Sequence, residues 1–326
     1  MTHGVRGRPS GARLRVGLAM AIASAATFGS SGPMAKALLE AGWTAGSAVL
    51  VRLSGAAVLL SIAAAVVLRG RVRLRSASVR TLVIYGVVAM AGTQLAFFNA
   101  VRTLDVGVAL LLEFLAPVLL LVWSSLRTRT LPGVRTLSGA ALTLVGLVFV
   151  LDLAGASTVD PAGVAWGLAA AVCLGGFFVL SERQDDDLPP LVMAAGGTAV
   201  GAVVIAIAGL VGVVPVGFTT TDTVLAGVEV SWVVPALWLV LVSTVAAYLS
   251  GIGAIVRLGT RSASFTALTE VLFAVLVAWL LLAELPGLSQ LAGGVCIIVG
   301  IVVIQRGERV DAPAGPVPPV EITHPI

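Results

Sequence analysis

The chain has 326 residues, 58% of them hydrophobic and 11% charged, with a mean hydropathy of +1.08. Soluble domains carry about a quarter of their residues charged, so the composition excludes a soluble protein. The long apolar runs exclude a β-barrel, whose strands alternate. The net charge of +4 comes without a basic face interleaved with aromatics, which argues against a nucleic-acid partner.

In chain order, Met1–Arg15 is polar and basic, with Arg6, Arg8, Arg13 and Arg15. A basic stretch before an apolar run also begins a secretory signal, and Ala23-Ser24-Ala25 has the small residues of a cleavage site. The run continues to spanning length, however, and more spans follow. Segments of about 20 apolar residues predict ten spans, at 16–39, 44–68, 81–101, 104–126, 134–153, 161–181, 189–213, 232–255, 262–282 and 287–305. Val214–Ser231, rich in threonine, is the longest connection on its side and reads as a plain loop or a lid. Gly307–Ile326 holds five prolines and is expected to be disordered. Seventeen of the twenty basic residues fall in the two tails and in the connections on the side of the N-terminus; the others are Lys36, Arg52 and Arg102. By the positive-inside rule this makes both termini cytoplasmic in a multi-pass protein of the plasma (inner) membrane. Lys36, near the outer end of its span, is expected to snorkel.

The chain matches itself at an offset of 154 residues. Leu131-Pro132-Gly133 falls on Leu285-Pro286-Gly287, Gly139 on Gly293, Gly146 on Gly300 and Ala109 on Ala263. Spans 4 and 5 therefore correspond to spans 9 and 10. Each half has five spans, an odd number, so the second half is inverted in the membrane, an arrangement of secondary transporters with the site near the midplane. The expected fold is an all-α integral membrane protein of ten transmembrane helices in two inverted five-helix repeats, 16–153 and 161–305. A cytoplasmic N-terminal tail, 1–15, and a disordered cytoplasmic C-terminal tail, 306–326, flank them.

The stretch Val108–Leu121 reads VALLLEFLAPVLLL. A charge at the centre of a bilayer helix costs ~2.5–3.5 kcal/mol on insertion scales, so Glu113 marks a functional position. Pro117, four residues on, lacks the N–H that would bond the Glu113 carbonyl. At ~1.5 Å per residue, Glu113 lies ~13 Å and Arg52 ~12 Å below the outer surface. The two are expected to pair, directly or through water. That pair is either a site for a zwitterion or a fixed structural ion pair. Glu270 lies ~12 Å from the inner side, within about one helical turn of Glu113 in depth, with no evident basic partner. It is the expected proton carrier alongside Glu113; the alternative is a carboxyl held neutral by backbone groups. Gln94 and Asn99 are amides near the same level, for substrate or for helix packing. Ser30, beside Ser31 and before the helix-weakening Pro33, lines a cavity or permits close helix contact. Tyr248, Phe98 and Trp123 are candidate pocket walls.

Cys173 and Cys296 lie in apolar segments without metal spacing or a disulfide framework. His3 and His324 lie in the tails, which excludes an intramembrane histidine relay. No metal or cofactor is expected. There is no His-Glu-x-x-His and no phosphate-binding loop, which argues against a membrane enzyme and a self-contained ATP-driven pump.

Several of these residues also carry a family likeness: Arg52 in Val51-Arg52-Leu53, Phe98-Asn99-Ala100-Val101-Arg102, Ala109 through Pro117, Ser243-Thr244-Val245-Ala246-Ala247-Tyr248, Glu270, and Ala283-Glu284. On these the chain resembles the EamA-type branch of the drug/metabolite transporter (DMT) superfamily over nearly its whole length. Leu112-Glu113-Phe114-Leu115-Ala116-Pro117 is most similar to the threonine/homoserine exporter type. It departs from the family pattern where Val271 follows Glu270 in place of proline, and where Thr130 stands in place of an acid. The resemblance implies efflux of small metabolites, usually coupled to protons. The function expected is secondary active export of small polar metabolites, amino acids among them, by a monomer or homodimer whose partners are substrate, protons and lipid. An uncoupled facilitator or exchanger of drugs or metabolites on the same fold is the competing reading.

Overall fold

The computed structural model describes residues 11–68, 76–129, 132–151, 160–182, 188–258 and 268–311. Six of its helical stretches are long and apolar enough to cross a membrane: Leu14–Glu40, Ala45–Leu68, Ser78–Ala100, Val106–Thr128, Pro190–Leu210 and Val233–Leu258. Four shorter apolar helices accompany them, Val134–Val150, Pro161–Gly176, Glu270–Leu282 and Leu288–Ile304.

Several spans are interrupted, and the interruptions have local causes. α1 (Gly11–Gly29) passes to α2 (Ser31–Glu40) through a single turn residue, Ser30. Pro33 sits in the first turn of α2, where its missing N–H costs little. After α3 (Ala45–Leu68), α4 (Ser76–Tyr85) runs into a π-helical segment, Gly86–Gly92, and then α5 (Thr93–Ala100). α6 (Val106–Glu113) stops at the turn Phe114–Leu115, and α7 (Ala116–Thr128) restarts with Pro117 in its first turn. α8 (Val134–Val150), α9 (Pro161–Glu182) and α10 (Pro190–Leu210) are continuous. α11 (Val233–Val240) enters a second π-helical segment, Leu241–Ala246, before α12 (Ala247–Leu258). α13 (Glu270–Leu282) follows a turn at Leu268–Thr269, and α14 (Leu288–Asp311) closes the described chain.

The predicted span at 262–282 is thus helical from Glu270 in the described part, and 259–267 lies outside the described residues. The expected disordered tail begins too early at 306, because α14 runs on to Asp311; residues 312–326 lie outside the described part, as do 1–10.

These interruptions recur at the offset of 154 residues. The π segments Gly86–Gly92 and Leu241–Ala246 correspond, as do the turns at Phe114–Leu115 and Leu268–Thr269. α7 ends on Arg129 at φ 55°, and α13 ends on Ala283 at φ 58°; both are left-handed. α8 and α14 run antiparallel in close contact. A Cβ on Gly146 would stand 2.6 Å from the carbonyl oxygen of Gly293, and one on Gly139 would stand 2.8 Å from that of Gly300. Only residues without a side chain let the backbones approach so closely.

Val214–Ser231 is more than a plain loop. It contains a two-stranded hairpin, β1 (Thr223–Leu225) and β2 (Val228–Val230), paired antiparallel with Leu225 opposite Val228. The segment ties down one end of the bundle. The Thr44 hydroxyl donates to the Pro215 carbonyl at 2.8 Å, the Thr219 hydroxyl to the Ala41 carbonyl at 2.6 Å, and the Trp43 indole N–H to the Thr219 carbonyl at 2.9 Å. Trp43 meets Phe218 edge-on at 5.1 Å and lies 5.5 Å from Trp232, centroid to centroid. The hairpin amide of Ala226 donates to the Leu281 carbonyl at 2.7 Å. At the same end Asp160 accepts from the Ala162 amide at 3.1 Å. The Thr103 side chain, and then the Ala162 and Gly163 amides, hold its carboxyl below the usual carboxylate range.

Candidate transport site

A cavity of about 470 Å³ lies between the middle of the bundle and the end away from the hairpin. Volumes of this size accommodate small organic ligands. α1, α3, the first π segment, α5, α6, α12 and α13 all contribute to its wall. Four acidic or basic and amide residues line it: Arg52, Gln94, Glu113 and Glu270. The two carboxylates stand at the two helix interruptions, Glu113 as the last residue of α6 and Glu270 as the first of α13. An interruption lets an acid project into a cavity without a full helical turn shielding it.

Arg52, 4% exposed, is fixed by the second π segment. Its Nε donates to Thr244 Oγ1 at 2.8 Å and its Nη2 to the Ser243 carbonyl at 3.1 Å. A π turn offsets the backbone hydrogen bonds and leaves a carbonyl to accept from outside the helix. The guanidinium lies 5.5 Å over the Phe98 ring. The Arg52–Glu113 pair, expected directly or through water, is not a direct contact among the described residues; Thr244 and Ser243 hold the fork. Arg52 stays within electrostatic reach of Tyr248, Glu270 and Glu113. So Glu270, expected to lack a cationic neighbour, shares one with Glu113. Neither carboxylate makes a hydrogen bond or ion pair with a described residue.

The first π segment supplies Met90, whose sulfur accepts from the Tyr248 hydroxyl at 3.1 Å. Gln94 is 9% exposed, and its Oε1 has no partner among the described residues. Tyr248 is braced edge-on by Phe28 at 5.1 Å. Pro117 lines the cavity as well, while Pro33 is buried in α2 away from it.

Four other candidates lie off the wall. Asn99 turns back on its own helix, donating to the Leu95 carbonyl at 2.8 Å. Phe98 is buried beneath Arg52. Trp123 is 48% exposed and stacks with Arg127 at 5.3 Å. Ser30 stands one layer behind: its hydroxyl contacts Ser243 Oγ at 2.9 Å and accepts from the Trp238 indole at 2.9 Å, while its neighbour Ser31 reaches the cavity. Sequence reasoning passed over Tyr85, Phe97, Thr93 and Ser24, which line the cavity.

Lys36 does not snorkel. It forms an ion pair with Glu284 and donates to the Leu104 carbonyl at 3.1 Å, while the other Glu284 oxygen accepts from the Val106 amide at 3.0 Å. This cluster lies at the hairpin end and joins α2, the start of α6 and the turn after α13. Among the described residues no group of three His, Cys, Asp or Glu side chains is placed to hold a metal.

The EamA-like transporter family model matches residues 15–152 and 161–306, which is most of the chain in two successive copies. The chain belongs to the EamA-like transporter family. The family assignment points to a multi-pass membrane transporter rather than to an enzyme. It is also similar to an uncharacterized inner membrane transporter, YicL, of Salmonella typhimurium (strain LT2), with 32% identity over 94 residues. That match covers 28% of this chain and 31% of YicL, under a third of the relative's length. A solved crystal structure of a protein shares the fold, with a TM-score of 0.55 at 20% identity, over 92% of this chain and 99% of that one.

Proposed function

We propose that this EamA-family protein is a proton-coupled secondary exporter of small polar metabolites that carry an amine. The observation that carries the reading is the placement of Glu113 and Glu270 on one cavity beside the fixed cation Arg52, with no protein partner of either carboxylate and no other cation on the wall among the described residues. Unpaired acids are costly in a membrane and persist where they serve a ligand or a proton. The likeness of Glu113-Phe114-Leu115-Ala116-Pro117 to the threonine/homoserine exporters brings amino acids into the candidate panel.

The proposed architecture is ten transmembrane helices in two inverted halves, 16–153 and 161–305, flanked by the tails. The interruptions repeated at 154 residues and the antiparallel glycine contact of α8 with α14 support it. The bias of basic residues supports an orientation with the hairpin end outside and both termini in the cytoplasm. The cavity then lies toward the cytoplasm, with the outer end held shut by the hairpin segment and the Lys36–Glu284 cluster. This is the arrangement an exporter needs to load.

The test is uptake into inverted, energised vesicles containing the purified protein, across an amine and amino-acid panel, with and without a proton gradient. Gradient-dependent accumulation that Glu113→Gln abolishes is the expected result. Accumulation independent of the gradient makes the protein a facilitator or exchanger, and accumulation of no compound removes amines as the substrate class.

A further inference from the structure

The charges around the cavity can be counted. Among the described residues lining it, Glu113 and Glu270 are acidic and Arg52 is basic; Tyr85 and Tyr248 also face it, and Cys173 on α9 is an electrostatic neighbour of Glu113. With both carboxylates ionised and the phenols and thiol neutral, the group carries one net negative charge. A low-dielectric site strongly disfavours an uncompensated charge. Two additions remove it. One is a proton on either carboxylate; the other is a ligand with a single positive charge. A zwitterion removes nothing, because it brings a carboxylate with its ammonium.

Arg52 lines the cavity, but its one positive charge already offsets one of the two carboxylates and does not also compensate a substrate carboxylate. Two of its N–H groups are committed to Thr244 and Ser243, its face lies on Phe98, and it is 4% exposed. The ammonium side is well provided. Both carboxylates lack protein partners among the described residues, and the buried Gln94 Oε1 offers a third acceptor. Much of the remaining wall is aromatic and apolar, with Phe28, Phe97, Phe114 and Met90, beside the hydroxyl residues Ser24, Ser31 and Thr93. Aromatic faces also favour a cation.

From this we infer that the site takes an amphiphilic primary amine without a carboxylate, held as a monocation between Glu113 and Glu270 with its apolar body against Phe28, Phe97 and Phe114. The inference rests on the reading that this cavity is the transport site. It makes amine and proton alternatives at one pair of carboxylates. The amine binds as a proton leaves a carboxyl for bulk water, and the proton returns when the amine departs. The cavity is neutral in both states, so exchange of one amine for one proton moves no net charge.

Calorimetric titration of the purified full-length protein in detergent tests this with a matched pair, phenethylamine and phenylalanine, which differ by one carboxylate. Repeating the titration in buffers of different ionisation enthalpy at mildly acidic pH counts the protons exchanged. Phenethylamine is expected to bind with release of about one proton, and phenylalanine at least ~10-fold more weakly, the least that one uncompensated buried charge costs. Equal or tighter binding of phenylalanine overturns the inference, and so does amine binding without proton release or no binding of either compound. The vesicle assay reports on coupled export separately. Gradient-driven transport of amino acids would sink the inference and leave the exporter standing, whereas amine binding with proton release but no gradient-driven transport would do the reverse.

Discussion

Arg52 shows how a single residue is specified by chemistry rather than by charge alone. Its planar fork reaches a hydroxyl and a carbonyl on α11–α12 at once, which a lysine's point charge does not reproduce. A hydrogen bond to a charged group is worth ~1.5–3 kcal/mol. Arg52→Lys is therefore expected to lower the thermal unfolding midpoint of the detergent-purified protein, while Thr244→Ser, which keeps the hydroxyl, leaves it near wild type. An unchanged midpoint in Arg52→Lys would mean that the two contacts contribute nothing. The intramembrane polar residues Arg52, Gln94, Glu113 and Glu270 were legible in the sequence because each is expensive where it stands. Asn99, Phe98, Trp123 and Ser30 stand off the cavity wall, and the sequence left packing open for each, because depth follows from counting residues whereas the face of a helix depends on rotation. For Phe98 and Asn99 the first π segment, which precedes them in the same span, adds a residue per turn and shifts that rotation.

At the scale of elements, the Lys36–Glu284 contact is the part of the closure that pattern reading missed, for a plain reason: the two residues lie 248 positions apart. Composition shows a lysine near the end of an apolar run, which normally snorkels to water. Glu284 satisfies it instead, and also caps the first turn of α6 through the Val106 amide. A carboxylate there is favoured by the helix dipole as well as by the lysine. Removing the lysine leaves the hairpin segment as the main closure of that end. Ser31 lines the cavity and is 7% exposed, so a cysteine there reports on access from the hairpin end. In a background with Cys173 and Cys296 replaced by alanine, Ser31→Cys is expected to react faster with a membrane-impermeant thiol reagent applied from the hairpin side when Lys36→Ala is added. An unaltered rate would assign the closure to the hairpin segment alone.

For the whole molecule, the decisive relation is between the halves. The offset of 154 residues was readable from a few glycines and one Leu-Pro-Gly, but what those glycines do was not. Gly139 and Gly146 stand 154 residues before Gly293 and Gly300. The contacts cross that correspondence: Gly139 meets Gly300, and Gly146 meets Gly293. Such exchange of partners is what a two-fold axis between α8 and α14, part of the proposed inverted architecture, would produce. Such an axis would make a quantitative demand. A Cβ on Gly146 would stand 2.6 Å from the Gly293 carbonyl oxygen, and one on Gly293 would stand 2.5 Å from that of Gly146. Both approaches are to backbone, which cannot swing aside. Gly146→Ala and Gly293→Ala are thus expected to destabilise the protein by similar amounts, about 1–3 kcal/mol each for an overpacked contact. Gly294, on the same helix, meets only a leucine methyl at 3.4 Å, an ordinary contact. Gly294→Ala is expected to be neutral or slightly stabilising, since alanine favours a helix more than glycine does. Chemical unfolding of the three variants in mixed micelles measures this. Equal losses at 146 and 293 with none at 294 fit the axis; a large difference between 146 and 293 would mean that the two halves meet without symmetry there, and that the repeat is a feature of sequence and not of packing.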